Sequence, residues 1–491
     1  MTTIENVTIN NENFEVCDTT ARFTASHARH FVVDSEEEMN QLLIPEYIRG
    51  GEEITCEVVD TNASGNSKRK LFKLIDGKWH ITQNVNNGVN KWFDENYVTF
   101  ADEDLEAVLL SAITTEDPTS INKKNGETDT LTTISFANNS DIEYIYELGN
   151  FKNLVPKEGM FTNMTNVKEI VWTEKTPPIS GSLGYITTNG NGWDCRNLEY
   201  INLTGWDVSN VTSLGRYNQT WYGLFGGSNH SEDTKFVVDL SGWDTSKVTS
   251  LYRTFTGINS SNFESKLIGI ENWNTSAVTD MTWTFCNNNL REINIENWDW
   301  SNATTMEAMF NECIWIRKII LPKNSKSTSC TNFYRFFRCD NELTDENVVN
   351  FDSIDVSNAT NISSFFYQAL ARRVVDLTSW DCSKVTANVT FFIGESGFRS
   401  LIGDHTIEEV ENGDVTIFKG LSVNIELRQR IYMPDITPGL ERASLLAAIK
   451  GVADMTGKDA KTIKLNQEQL DRLTDEDIAL ASSKNWVLTV S

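Results

Sequence analysis

One pattern limits the folds open to this chain more than any other: a tryptophan followed, twelve residues later, by a phenylalanine, recurring in register. Trp243 leads to Phe255, Trp273 to Phe285, Trp298 to Phe310 and Trp380 to Phe392, and Ile354 stands in for tryptophan ahead of Phe366. Aligned this way the copies read GWDVSNVTSL from Gly205, GWDTSKVTSL from Gly242, NWNTSAVTDM from Asn272, NWDWSNATTM from Asn297, SIDVSNATNI from Ser353 and SWDCSKVTAN from Ser379. After Trp206 the phenylalanine, Phe225, arrives seven residues late, behind an insertion around RYNQTWYG. A further copy keeps Phe337 in register but has Ser325 at the tryptophan position, and an earlier one ends at Phe161. A fixed offset with variable filling marks stacked structural repeats, each burying its apolar face only against its neighbours.

Ahead of each tryptophan, apolar residues stand three and five positions before it: Ile201 and Leu203, Val238 and Leu240, Ile268 and Ile270, Ile293 and Ile295, Val349 and Phe351, Val375 and Leu377. With the apolar residue that opens LEYINL, LREINI and IRKIIL, this gives LxxIxL, the pattern of leucine-rich repeats: one short strand per copy, then a return segment. Val278, Met281 and Phe285 are spaced i, i+3, i+7, as are Val248, Leu251 and Phe255, which predicts a helical return with one apolar face. The Asp or Asn after each tryptophan and the Ser two further on are helix-capping residue types. Phenylalanines from 255 onward are 30, 25, 27, 29 and 26 residues apart, close to the repeat length of that class. The fold class expected is therefore α/β: a leucine-rich-repeat solenoid of short parallel strands and helical returns, with a small N-terminal α+β module.

GWDTSKVTSLYRTF closely resembles the repeat of the BspA-like leucine-rich-repeat family, also known from mycoplasma lipoproteins, which reads approximately LxxIDLSxWDTSxVTxMxxMFxxC. The likeness covers about Phe151 to Gly394. It implies proteins that are mostly bacterial cell-surface or phage-encoded and implicated in adhesion, with no catalytic residues in the repeat. Residues 100–150, with FADEDLEAVLLSAI placing Leu105, Val108, Leu109 and Ala112 on one helical face, resemble the helical cap and first turn that precede such repeats. In relatives the following link resembles a calcium loop; here, in TTEDPTSINKKNGETD, the acidic positions are largely replaced and two lysines intrude. Residues 395–491 suit a C-terminal repeat-like cap, with an LxxL-type turn and two short amphipathic helices.

The N-terminal hundred residues have a different pattern. Residues 1–27 read as a polar extended arm. Residues 28–99 read as a small α+β docking module: a strand in HFVV, a helix with a capping box from Ser35 to Glu38, a strand in ITCEVVDT and a hairpin across the Asp-Gly at 76. The module loosely resembles those near the N-terminus of phage fibres.

Charge narrows the partners. The 491 residues carry 69 acids against 42 bases, a net charge of −27, which repels nucleic acid and anionic lipid. The N-terminus lacks the basic and apolar regions of an export signal, and no stretch approaches a membrane span. The eight cysteines, at 17, 56, 195, 286, 313, 330, 339 and 382, include no CxxC pair, so buried reduced thiols are expected, with Cys330 and Cys339 as the alternative bridge. The five scattered histidines suggest no metal site. Asn-x-Ser/Thr at Asn210, Asn302, Asn358 and Asn388 reads as turn and cap chemistry rather than glycosylation.

No enzyme is expected: no nucleophile triad, phosphate loop or isolated carboxylate pair stands out from the repeat, and no cofactor or metal is implied. The recurring tryptophans are expected to form a buried stack rather than a sugar platform. Two candidate binding surfaces remain. One is the outward strand ladder of Tyr200, Asn202, Asp239, Glu271, Glu292, Asn294, Glu296, Asn350, Asp352 and Asp376, a polar and mainly acidic row suited to sugar hydroxyls or a basic protein patch. The other is the aromatic insertion with Tyr217, Trp221 and Tyr222. The leading expectation is a phage virion structural protein, a head or tail fibre. Its N-terminal region would dock on other virion proteins and its repeats would meet a host surface glycan or protein. The alternative is a bacterial cell-surface or secreted adhesion protein. Homo-oligomerisation is compatible with either, although no heptad or collagen-like repeat specifies a chain number.

Overall fold

A computed structural model describes residues 98, 100, 102–113, 120–187, 195–215, 223–225, 235–258, 264–337, 347–367, 372–393, 397–429 and 439–490, with six strands nearer the N-terminus. The first two of those, β1 (Asn6–Ile9) and β2 (Glu12–Glu15), pair antiparallel, so the stretch expected to be an extended arm contains a hairpin. In the second group β3 (His30–Val33) runs parallel to β4 (Thr55–Asp60), and β5 (Lys68–Ile75) and β6 (Lys78–Val85) continue antiparallel, the latter two being the strands expected on either side of the Asp-Gly at 76. The helix expected from Ser35 lies outside the described residues.

Helix α1 (Glu103–Ala112) buries Leu105 and Leu109, with Val108 partly buried and Ala112 exposed. Its N-cap, Asp102, accepts from the Asp104 and Leu105 amides through one oxygen (2.9 and 3.1 Å) and from the Glu143 and Tyr144 amides through the other (2.7 and 3.1 Å). One carboxylate thus starts the helix and ties it to the first strand of the stack. In the following link, Glu127 is buried and its carboxylate accepts from the Asn122 amide at 2.5 Å, which closes the loop on itself.

The repeats supply short, parallel strands. These are β7 (Tyr144–Ile145), β8 (Glu169–Val171), β9 (Ser180–Ser182), β10 (Tyr200–Asn202), β11 (Asn210–Ser213), β12 (Val237–Asp239) and β13 (Lys266–Ile268). Five of them form one all-parallel sheet in the order β13-β12-β10-β8-β7, and β9 pairs with β11. A second parallel sheet holds β14 (Glu292–Asn294), β15 (Lys318–Ile320) and β16 (Val348–Val349). Beyond it, β17 (Phe366–Tyr367), β18 (Arg372–Val374), β19 (Val389–Thr390), β20 (Phe392–Ile393), β21 (Gly397–Ser400), β22 (Ile425–Glu426), β23 (Lys461–Leu465) and β24 (Trp486–Val490) form three further parallel sheets, the last in the order β19-β22-β23-β24. The chain is mixed α/β, with many short parallel strands and few helices.

The core follows the register of the sequence. Trp206, Trp243, Trp273 and Trp298 are buried and stack successively, with centroids 6.4, 5.9 and 6.2 Å apart and ring planes within 8°. Beside them Phe255, Phe285, Phe310, Phe337 and Phe366 form a second stack, 5.4 to 5.8 Å apart. Fully burying such a ring contributes about 1.5–3 kcal/mol, and the stacking geometry adds to that. Where Ile354 replaces tryptophan, Phe351 bridges the two stacks, lying 6.5 Å from Phe337 and 6.2 Å from Trp380.

The return segments between 243 and 366 are not helices. Their apolar spacing is met instead by consecutive tight turns, such as Val278 N–H to Thr275 O (2.9 Å) and Cys286 N–H to Trp283 O (3.2 Å), which also bring residues i and i+3 to one side. Ten residues after each tryptophan position the backbone is left-handed, at Arg253, Trp283, Ala308, Arg335 and Ser364, with φ between 52° and 60°. That conformation turns amides outward to the next copy: Trp283 N–H reaches Glu307 O at 2.9 Å and Phe285 N–H reaches Met309 O at 2.9 Å. An α-helix would have kept those bonds internal.

The capping residues act correspondingly at turns. Asp207, Asp244, Asn274, Asp299, Asp355 and Asp381 each accept from the amide of the serine two residues on, at 2.8 to 3.2 Å, with no helix following. The threonine six residues after each tryptophan position stitches copies together: Thr249, Thr279, Thr304, Thr331 and Thr360 each donate amide and hydroxyl to the equivalent carbonyl one copy earlier. Asn302 and Asn358 likewise donate across copies, to Ser276 O at 2.9 Å and Thr328 O at 2.6 Å.

Among the described residues α-helices return only after the last copy, in α2 (Ile407–Asn412), α3 (Arg442–Gly451), α4 (Gln467–Leu470) and α5 (Asp475–Ser483), so the tail expected to carry two short helices carries four. The Arg442 guanidinium binds both oxygens of Asp477 (2.7 and 3.0 Å) and reaches Glu411 at 2.7 Å, pinning these helices together. Cys195, Cys286, Cys313, Cys330 and Cys382 are buried thiols; burial pushes the Cys330 thiol up to about 12. Cys339 lies outside the described residues.

Candidate functional site

The strand face was expected to present its alternate residues outward, but two of them are covered. Tyr200 and Asn202 are buried, at 4% and 8% exposure, because β10 lies between β8 and β12 with all three residues covered. Asn202 spends its amide on the Tyr200 hydroxyl (3.1 Å) and its oxygen on the Thr204 amide (3.1 Å). That second bond recurs at the end of other strands. Asp239 accepts from the Ser241 amide at 2.9 Å, Asn294 from Glu296 at 3.0 Å and Asp376 from Thr378 at 2.8 Å. These members of the predicted row terminate strands by an Asx turn.

The expected inward pairs also slip at two copies. Leu267, not Ile268, pairs across from Val238 and packs on the core, and Val348, not Val349, pairs with Ile319. In each case a left-handed residue, Gly269 (φ 87°) or Asn350 (φ 62°), adds one position before a 3₁₀ turn. Such an extra residue moves side chains to the opposite face. Asn350 therefore donates to Leu321 O at 2.8 Å, Val349 is exposed, and Asp352 sits exposed in the turn.

The slip at Gly269 coincides with a break in the strand ladder. β13 ends the five-stranded sheet and β14 begins the next, with no ladder between them. At this break lies an open concavity of about 950 Å³. Glu271, Glu292 and Asn294 from the predicted row line it, together with Ser265, Asn347 and a short apolar floor of Leu267 and Ile268. Five basic side chains complete it: Lys235, Lys266, Arg291, Arg317 and Lys318, against three acids, Glu264, Glu271 and Glu292. Lys235 is mostly buried beside Glu264 (3.2 Å), and Lys318 lies 3.3 Å from Glu292. Arg291 is held flat, its guanidinium 5.0 Å from the Trp315 ring and donating to Trp315 O at 3.2 Å. Glu296, outside this groove, pairs with Lys323 at 3.3 Å.

The acidic row read from sequence is thus interleaved with cations from neighbouring copies. Those cations went unread although they gather where each strand begins, within two residues of its start: TKF at Lys235, SKL at Lys266, LRE at Arg291 and IRK at Arg317 and Lys318. Tyr217, Trp221 and Tyr222 of the aromatic insertion lie outside the described residues. The insertion leaves and re-enters at Gly215 and Gly223, where a Cβ would come within 1.7 Å of Tyr252 O and 2.1 Å of Arg253 O, so its roots lie tight on the adjacent return. Among the described residues no cluster of three metal-ligating side chains occurs. The groove offers paired cations and carboxylates and an amide and hydroxyl set around its apolar residues.

Residues 193–314, 222–338 and 323–429 match the model of a family described as Mycoplasma protein of unknown function, DUF285. Three overlapping matches to one model are what a repeated unit produces. No curated protein matches the chain, and no solved structure does. Among the described residues no helix is long and apolar enough to cross a membrane.

Proposed function

We propose that the chain is a leucine-rich-repeat solenoid of the BspA-like kind and acts as a non-enzymatic attachment protein of a phage virion, a head or tail fibre. Its N-terminal strands would dock on other virion proteins while the strand face meets a host surface glycan or protein. The observation that carries an attachment role is the groove at the β13/β14 break. There, side chains of consecutive copies gather polar and charged groups around open space, in a scaffold whose repeated Trp, Phe, Asp, Ser and Thr serve stacking, turns and contacts between copies. The likeness of the repeat to surface proteins supports the same role.

The test has two arms. Immunogold labelling and mass spectrometry of purified virions should detect the protein on particles; finding it instead on the surface of uninfected bacteria overturns the virion reading in favour of a cellular adhesin. Glycan arrays and pull-downs from host envelopes with purified protein should give hits; no binding to any host surface material overturns attachment.

A further inference from the structure

The stack of strands is closed differently at its two ends. Near the first strand, β7, helix α1 buries Leu105 and Leu109 in the core, and its cap residue Asp102 holds the Glu143 and Tyr144 amides. At the last strand, β24, one edge pairs with β23, and among the described residues no strand pairs with the other. The core is also less covered there. Trp486 is buried, but on the same side of the strand Leu488 is only partly covered and Val490 is 41% exposed. Val490 and Val487 are two of the five large hydrophobic side chains exposed among the described residues. Sheet edges are usually blunted by a lysine, a proline or a bulge. β24 reads WVLTV, with no charge and no proline, and its pairing with β23 runs without a register shift.

The ladder with β23 fixes which backbone groups face that open edge. Lys461 stands opposite Trp486 and donates its amide to Asn485 O at 3.3 Å. In a parallel ladder this turns the N–H and C=O of Val487 and Thr489 toward β23, and those of Trp486, Leu488 and Val490 toward the open edge. We propose that β24 pairs antiparallel with β24 of a second copy of the chain, about a two-fold axis at Leu488. That register sets Leu488 opposite itself and Trp486 opposite Val490 of the second copy, so each outward amide and carbonyl of the strand meets its complement. Opposed side chains share a face, so Leu488 and Val490 gain apolar neighbours and the two cores become continuous. Charge favours a second copy over a charged peptide. Two molecules of net charge −27 can meet closely only where the meeting surface carries none. β24 satisfies that condition, and the base ahead of it, Lys484, donates to the carbonyls of Ile449, Lys450 and Val452. A charged peptide would find no counter-charge on the strand. The dimer is independent of the attachment reading.

The experiment is sedimentation equilibrium of the full chain from about 1 to 200 µM, in about 0.15 M salt to screen the net charge. A monomer–dimer equilibrium should appear. A seam of five residues is small beside a stable interface, so the dissociation constant should lie in the micromolar range. Hydrogen exchange compared at the two ends of that range should slow at the Leu488 amide in the concentrated sample. The Val487 and Thr489 amides, already bonded in the ladder, should not change. Val490→Pro removes an N–H that faces the open edge and leaves the ladder with β23 intact, so it should weaken the dimer about tenfold with unchanged thermal unfolding. A monomer at every concentration overturns the proposal. A dimer of undiminished affinity in folded Val490→Pro, or one that leaves Leu488 exchange unaltered, overturns β24 as the seam. Growth beyond the dimer overturns the two-fold pairing, because a closed pair leaves no second edge to extend.

Discussion

At the scale of single residues, the tryptophans share a stack but not a hydrogen bond. The indole N–H of Trp243 donates to Leu203 O at 2.8 Å and that of Trp298 to Ile270 O at 2.7 Å, whereas those of Trp206 and Trp273 have no partner among the described residues. Replacing Trp298 by Phe should therefore cost about 1 kcal/mol more than Trp273→Phe in denaturant unfolding, since only the former gives up a buried hydrogen bond. Equal losses would show that ring volume alone decides. The turn aspartates give a pH prediction. Hydrogen bonds from Ser209, Ser246 and Ser383 hold the carboxyls of Asp207, Asp244 and Asp381 below their ordinary value. A folded pKa below the unfolded one stabilises above about pH 4 and is lost as pH falls through the folded value. Asn274 is a neutral residue already doing the same job. The triple Asp→Asn variant at these positions should thus flatten the acid limb of a stability-versus-pH curve measured by urea unfolding, while an unchanged limb would assign it to other carboxylates. The identities of these residues were legible as cap formers; the absence of a helix behind them was not, because an Asx turn and an N-cap use the same side chain and the same first hydrogen bonds.

At the scale of one copy, the question is how a three-residue period becomes a turn rather than a helix. Val278, Met281 and Phe285 lie on one side in either case, so periodicity alone could not separate them. What decides is the left-handed residue two before the phenylalanine, and Arg, Trp, Ala and Ser occupy it instead of a telltale glycine. The strand slip, by contrast, was readable. In SKLIGIENW and NVVNFDSI the apolar residues stand at both parities, and the Gly or Asn between them is the type that tolerates positive φ. Gly269 also sits where a Cβ would come 2.5 Å from the Ser241 backbone, while Gly242, with a similar φ of 81°, has nothing within 4 Å. Gly242→Ala should cost about 1 kcal/mol, the left-handed penalty alone. Gly269→Ala should cost more by on the order of 1–3 kcal/mol, because the neighbouring copy must move as well. Thermal unfolding of the two variants measures the difference, and equal shifts would mean that the β12–β13 junction yields freely.

At the scale of the whole molecule, the repeat and its register were visible in the sequence because each copy makes the same contacts with its neighbours. The groove was not, because it belongs to the junction where two copies fail to pair. Net charge acts at the same scale. The cross-copy ion pairs Lys168–Glu143, Lys318–Glu292 and Lys323–Glu296 have side chains roughly 36–53% exposed, so each is worth about 0–1 kcal/mol at most, and salt screens them. Against them stands an excess of 27 negative charges, whose mutual repulsion opposes the compact state. The screening length falls from about 30 Å at 0.01 M to about 8 Å at 0.15 M salt, short of most distances between copies several places apart but longer than any contact pair. Raising salt over that range should relieve the long-range repulsion before it removes the local pairs, so the melting temperature should rise. A melting temperature that falls with salt would show that local pairs outweigh the net charge, and the acidic excess would then be a surface property with no bearing on the fold.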